Sequence, residues 1–128
     1  MRDLVSNFGA VLALSPAVQA ATIKGNAVDL LGFGSAAIIV NTGDIVSAGD
    51  FTAKLQESDT TTDADFTDVA AGDLQGDLSA ALAADSSIKQ GYVGIKRYIR
   101  LVLTKVSGTS IAAGAVAVLG HPRTAPVA

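Results

Sequence analysis

Polar and apolar positions alternate with a period of two along residues 97–105: Ile99, Leu101 and Leu103 fall on one face, and Tyr98, Arg100, Val102 and Thr104 on the other. That is the rhythm of a β-strand with three aliphatic side chains turned toward a core. The second face is only half polar. After Ser107-Gly108-Thr109, which reads as the turn of a strand pair, residues 113–119 are apolar at every position except Gly114. Such a run marks a strand covered on both sides, so more than a solvated half-sheet must lie against it.

The same rhythm extends upstream. Residues 36–40 predict a short buried strand, and Asn41-Thr42-Gly43-Asp44 a turn, since Asn and Gly tolerate positive φ. Residues 51–57 alternate, with Phe51, Ala53 and Leu55 inward and Thr52, Lys54 and Gln56 toward water. A polar loop over 58–65 and a short strand over 66–69 complete a hairpin. Residues 73–85 suit either a brief helical turn or an extended connection, and residues 88–93 lead into the final strands. Residues 1–26, interrupted by Pro16 and Gly25, predict an irregular arm that lies along a neighbour and whose removal spares the fold. The fold expected is all-β: an antiparallel β-sandwich, jelly-roll-like, over residues 27–128, with an extended N-terminal arm over 1–26. A partly open barrel is the alternative.

Composition sharpens this picture. A chain of 128 residues fits one domain. With no Trp, four Phe and two Tyr, its core is built from small aliphatic side chains whose mutual fit matters more than bulk. Mean hydropathy is high, +0.44, yet no run approaches the roughly 18 apolar residues needed to span a bilayer, so no membrane partner is expected. The apolar surplus points instead to contacts between chains. The absence of Cys excludes a disulfide framework and thiolate metal sites. The N-terminus imitates a secretory signal through Arg2, the apolar residues 8–14 and the small residues 17–21. Asp3 and the Ser15-Pro16 break weaken the imitation, and the segment is read as an ordered arm.

Charge is segregated. Residues 41–86 carry ten acids (Asp44, Asp50, Glu57, Asp59, Asp63, Asp65, Asp68, Asp73, Asp77 and Asp85) and one base, Lys54. Beyond residue 86 there are no acids and six bases: Lys89, Lys96, Arg97, Arg100, Lys105 and Arg123. The plain reading is acidic loops that aid solubility and basic sheet edges that deter wrong pairing. The sharper one is that acidic loops meet the basic sheet of a neighbouring subunit, or that the basic face docks on an acidic partner. Direct sequence-specific nucleic-acid binding is not expected, because the bases are few and only Tyr92 and Tyr98 lie among them.

No catalytic set emerges. His121 is the sole histidine; it reads as a residue packing the chain exit before Pro122, with no nucleophile elbow to serve. One histidine cannot build a multi-histidine zinc site. Asp59, Asp63, Asp65 and Asp68 lack the glycine and closing glutamate of a calcium loop. Residues 32–36, Gly-Phe-Gly-Ser-Ala, precede a strand rather than open a helix, so they do not cradle phosphate. The expectation is therefore no catalytic residue, no cofactor and no metal.

Three blocks carry a resemblance: AVDLLGFGSAAIIVNTG at residues 27–43, KLQESDTTTDADFTDV at 54–69, and GYVGIKRYIRLVLT followed by AVAVLGHPR toward the C-terminus. In this order they resemble a group of small proteins of tailed phages and prophages encoded among the head-assembly genes. The blocks span about four-fifths of the chain and are packing and turn patterns. The resemblance implies a structural virion protein that decorates and cements the capsid surface, present in the host cytoplasm during assembly. Its implied partner is the major capsid protein, and the apolar surplus of the sequence adds the expectation that the chain associates with further copies of itself, as a homotrimer. Alternatives are a head-tail connector or tail component, or a carbohydrate-binding spike module, although such sugar sites favour exposed aromatics that are scarce here. Candidate contacts with the shell or between subunits are Phe8 and Leu12 in the arm and Arg97, Tyr98, Arg100 and Val102 on the basic strand.

Overall fold

The computed structural model describes residues 3–76 and 81–123, and ten strands account for most of them. Arg2, Asp77 and the C-terminal residues 124–128 lie outside the described residues, as do residues 77–80 of the ambiguous 73–85 segment. The strands are β1 (Gly9–Gln19), β2 (Ile23–Lys24), β3 (Val28–Asp29), β4 (Phe33–Val46), β5 (Asp50–Ser58), β6 (Thr67–Asp68), β7 (Leu74–Gly76), β8 (Ser87–Tyr92), β9 (Tyr98–Ser107) and β10 (Ser110–Pro122). Sheet A has the order β1-β10-β4-β8-β7 and sheet B the order β2-β9-β5-β6, with β3 also on the β9 edge. Every pairing is antiparallel. The chain passes from β1 in sheet A through β2 and β3 in sheet B back to β4, and the long strands β4, β5, β8, β9 and β10 then alternate between the sheets, so the expected sandwich is a jelly roll.

Period-two alternation builds the core from both sides. Sheet B contributes Ile99, Leu101 and Leu103 from β9 and Phe51, Ala53 and Leu55 from β5. Sheet A contributes Ile38 and Val40 from β4 and Ile111, Ala113, Ala115, Ala117 and Leu119 from β10. All are buried in one apolar cluster. Alanines dominate the β10 side and large aliphatics the β9 side, a small-against-large fit of the kind dense packing requires.

Three expectations are corrected. The 107–109 turn does not close a hairpin: β9 lies in sheet B and β10 in sheet A, between β1 and β4. Crossing the sandwich brings the inward residues of the two strands into one apolar core from opposite sheets. Residues 41–44 do not turn either. Strand β4 runs through them, and Gly43 and Asp44 are absorbed as a bulge opposite Ala112, because Thr42 pairs with Ala113 and Ile45 with Ile111. The chain reverses at residues 46–49, where Ser47 and Ala48 both take positive φ and Gly49 N–H donates to the Val46 carbonyl.

The 1–26 segment is not irregular. Its β1 pairs with β10 from Gly9↔Leu119 to Gln19↔Ile111, and it places Ala13 and Leu14 in the core. Two register shifts let it pass Pro16, which lies against Gly114: a Cβ there would come within 2.9 Å of the Pro16 Cα. Behind it, Gly25 N–H donates to the Leu101 carbonyl and Asn26 N–H to the Ala13 carbonyl, stitching the two sheets together at this edge. In the 73–85 segment, Leu74–Gly76 is a strand paired with β8.

Two outcomes follow for stability. Deleting residues 1–19 is expected to abolish the cooperative thermal transition seen by circular dichroism, because the inner strand β10 becomes an open apolar edge. Leu101→Ala, at a fully buried position, is expected to lower unfolding free energy by about 2–5 kcal/mol in urea titrations.

Candidate interaction surface

The outer face of sheet B is closed by its own charges. Residues 59–66 fold back over it and bring Asp63 and Phe66 onto Arg100. The Arg100 guanidinium donates to Gln56 Oε1 from Nε (2.9 Å) and Nη2 (2.7 Å) and to Asp63 Oδ1 from Nη1 (2.6 Å), and it lies 4.1 Å from the Phe66 ring centroid. Lys24 reaches the same Asp63 at 3.1 Å, and Lys54 pairs with Asp68 at 3.1 Å. Hydrogen bonds from Arg100 and then Lys24 hold the Asp63 carboxyl below its ordinary 3.8. Gln56 and then Lys54 do the same for Asp68. Arg100 and Val102 are therefore buried within the chain, and as free-standing contact residues they are removed from the surface.

Arg97 and Tyr98 lie at one end of the sandwich. Arg97 makes a bidentate pair with Asp29, at 3.0 and 2.9 Å, over the Tyr98 ring. Beside them a cleft of about 310 Å³ opens between the loops after β3 and β8, lined in part by Leu31, Tyr92, Gly94, Ile95 and Lys96. The Tyr92 hydroxyl donates to Glu57 Oε1 at 2.9 Å and accepts the Lys96 N–H at 3.0 Å. Burial, reinforced by the Glu57 carboxylate, pushes its pKa up to about 12. The loop wraps so closely that a Cβ on Gly94 would come within 2.5 Å of that hydroxyl. Ser35 Oγ meets His121 Nδ1 at 2.8 Å at this end, a contact that sequence spacing could not reveal. Among the described residues no carboxylate hydrogen-bonds the other ring nitrogen, so the pair is not a triad.

The four clustered aspartates separate to different partners: Asp59 to Lys96, Asp63 to Arg100 and Lys24, Asp65 to Thr60, and Asp68 to Lys54 and Gln56. Among the described residues no three His, Cys, Asp or Glu side chains converge to hold a metal ion.

The outer face of sheet A is the reverse of sheet B. Register places Leu12 beside Val116, Val116 beside Ile39 and Ile39 beside Lys89; the next row is Ala10, Val118, Ala37 and Gly91. Gly114 and Asn41 follow, and then Val18 beside Ala112. In these rows Lys89 is the one charged residue, and it stands toward the β8 margin. Leu12 is 49% exposed and Val18 67%, while Ile39, Val116 and Val118 are half-buried by their neighbours alone. This is the second apolar face that residues 113–119 implied. Leu12 belongs to it, whereas Phe8 sits half-buried just before β1. Ile39 and Ala37 were missed because residues 36–40 read only as a buried run.

No protein-family model and no curated protein sequence matches the chain. Among solved structures it is similar to the SPBc2 prophage-derived protein YomS, with a TM-score of 0.56 and 11% identity over 88% of this chain and 92% of that one. Looser similarities are to infectious bursal disease virus, Gx strain (TM-score 0.48, 15% identity, 93% of this chain and 35% of that one), and to PirA (TM-score 0.44, 11% identity, 94% and 99%). At these identities the likeness to YomS is one of fold.

The Asp63 latch has a pH signature. Its folded pKa lies below the unfolded value of 3.8, so its stabilisation is fully present above about pH 4–5 and is lost as pH falls through the depressed folded value. Melting temperatures recorded from pH 7 to pH 2 are expected to drop in that acid window, and to drop less in Asp63→Asn, which starts lower at neutral pH.

Proposed function

We propose that this chain is a structural protein of a virion, and within that class a decoration or cement protein that binds the assembled major capsid shell of a tailed phage. The observation that carries the reading is the contrast between the two outer faces of the jelly roll. One has its charges paired within the chain, and the other is an apolar sheet with a single charged residue, Lys89, in its rows and no cover among the described residues. Such a molecule is suited to assembly. The sequence blocks that resemble phage head proteins point the same way, and YomS, which shares the fold, is itself prophage-derived.

Function on this reading needs no bond to be made or broken. A protein that binds the assembled shell and not its dissociated subunits stabilises the shell by mass action, by about 2.7 kcal/mol per site at a hundredfold excess over its dissociation constant. The partner is the major capsid protein and the location is the capsid surface. Asp44 and Asp50 flank the reversal at residues 46–49 and Asp85, whose N–H donates to the Gly43 carbonyl, lies beside it, so these acids would favour a basic rim on that partner.

Purified protein mixed with empty shells is expected to co-sediment at a copy number proportional to that of the major capsid protein, and to raise the temperature at which the shells rupture. Copies in a fixed ring number would assign the chain to the head-tail connector or the tail, and absence from the pellet would sink the virion reading.

A further inference from the structure

We infer that the outer face of sheet A is covered by a second copy of this chain, packed face to face about a twofold axis. The inference rests on reading that face as an assembly surface, and it names the occupant.

Charge is the first argument. The chain carries a net charge of −3, so two copies repel one another wherever their acids approach. The rows through Leu12, Val116, Ile39 and Val118 contain no acid, and their single base, Lys89, stands at the margin where its stem can reach a polar rim. Two like-charged molecules can meet here without burying an unpaired charge. A strongly charged partner would find nothing on this face to pair with.

Shape is the second. Small residues such as Ala37 and Ala112 alternate on this face with Val and Ile, a relief suited to another sheet stacked about 10 Å away. A twofold interface uses the same patch on both molecules, whereas a threefold ring needs two different complementary patches. One self-complementary face therefore gives a pair, in place of the homotrimer expected from the apolar surplus of the sequence.

Area is the third. At a spacing of about 4.8 Å, β1, β10 and β4 with about 26 Å of length each and the shorter β8 with about 20 Å present roughly 470 Å² in plan on each copy. The pair then covers about 940 Å², close to the roughly 1,000 Å² at which specific interfaces begin and above ordinary lattice contacts.

The test is sedimentation equilibrium at tens of micromolar. The unmodified chain is expected as a dimer. Leu12→Lys, at a half-exposed position that the fold tolerates, is expected to weaken the dimer roughly tenfold or more while leaving the far-ultraviolet dichroism unchanged. Ile95→Lys, at a 95% exposed position off this face, is expected to leave the dimer intact and so controls for general stickiness. Should Leu12→Lys misfold, Ile39→Thr, which keeps a β-branched side chain, carries the same test. A monomeric unmodified chain, a dimer indifferent to both face variants, or a face-dependent trimer would overturn the twofold pair. If the chain is monomeric and Leu12→Lys abolishes co-sedimentation with empty shells, the face belongs to the shell: the pair is overturned and the virion reading stands. A face-dependent dimer that ignores shells supports the pair and removes the virion reading.

Discussion

The molecule depends on β9 and β10 lying in opposite sheets of the sandwich, with their inward side chains sharing one apolar core. They are neighbours in sequence, yet each is an inner strand of a different sheet, flanked by β2, β3 and β5 on one side and by β1 and β4 on the other. Ile99, Leu101 and Leu103 supply bulk, and Ala113, Ala115 and Ala117 supply room for it. With no Trp in the chain, a core of this kind holds through complementary volumes, so a lost methyl group is felt directly. The other strands arrange themselves around that pair of layers.

That constraint also explains why the outside is asymmetric. Sheet B turns Arg100 outward from the core layer, and a cation on a half-buried face must be satisfied, so residues 59–66 bend back to bring Asp63 and Phe66 to it. The exposed pairs around it, Lys24–Asp63 and Lys54–Asp68, add little stability individually but leave few charges free to recruit a partner. Sheet A has no such group to satisfy. Apart from Lys89 and Asn41, the outer residues in its rows are aliphatic or small, and the remedy for an apolar sheet surface is another surface.

Much of this was legible in the sequence, and where it was not, the cause is identifiable. The period-two runs at residues 51–57 and 97–105 gave both central strands of sheet B, and the unbroken apolar run at 113–119 announced a strand needing cover on both faces. Strand β1 was hidden because its two register shifts and Pro16 destroy the period that betrays a strand. The reversal at 46–49 was hidden because Ser47 and Ala48 adopt positive φ without the glycine or asparagine that signals it, while Asn41 and Gly43, which carry the signal, lie within β4. Of the candidate contacts, Leu12 lies on the apolar face, but Arg100 read as a surface residue only because alternation cannot foresee a loop folding back over it, and Val102 is buried between its strand neighbours Lys24 and Lys54. The Ser35–His121 contact joins residues far apart in the chain, and only the pairing of β4 with β10 brings them together.

The place of β10 between β1 and β4 bears on how the protein is made. A ribosome releases β1 and β4 long before β10 exists, and until then neither has its principal sheet partner. Folding must wait for the last strand, with the slow closure that pairing of distant segments imposes. A chain that stops before residue 110 keeps β4, β8 and β7 but lacks the strand that joins β1 to them, so sheet A is left in two pieces.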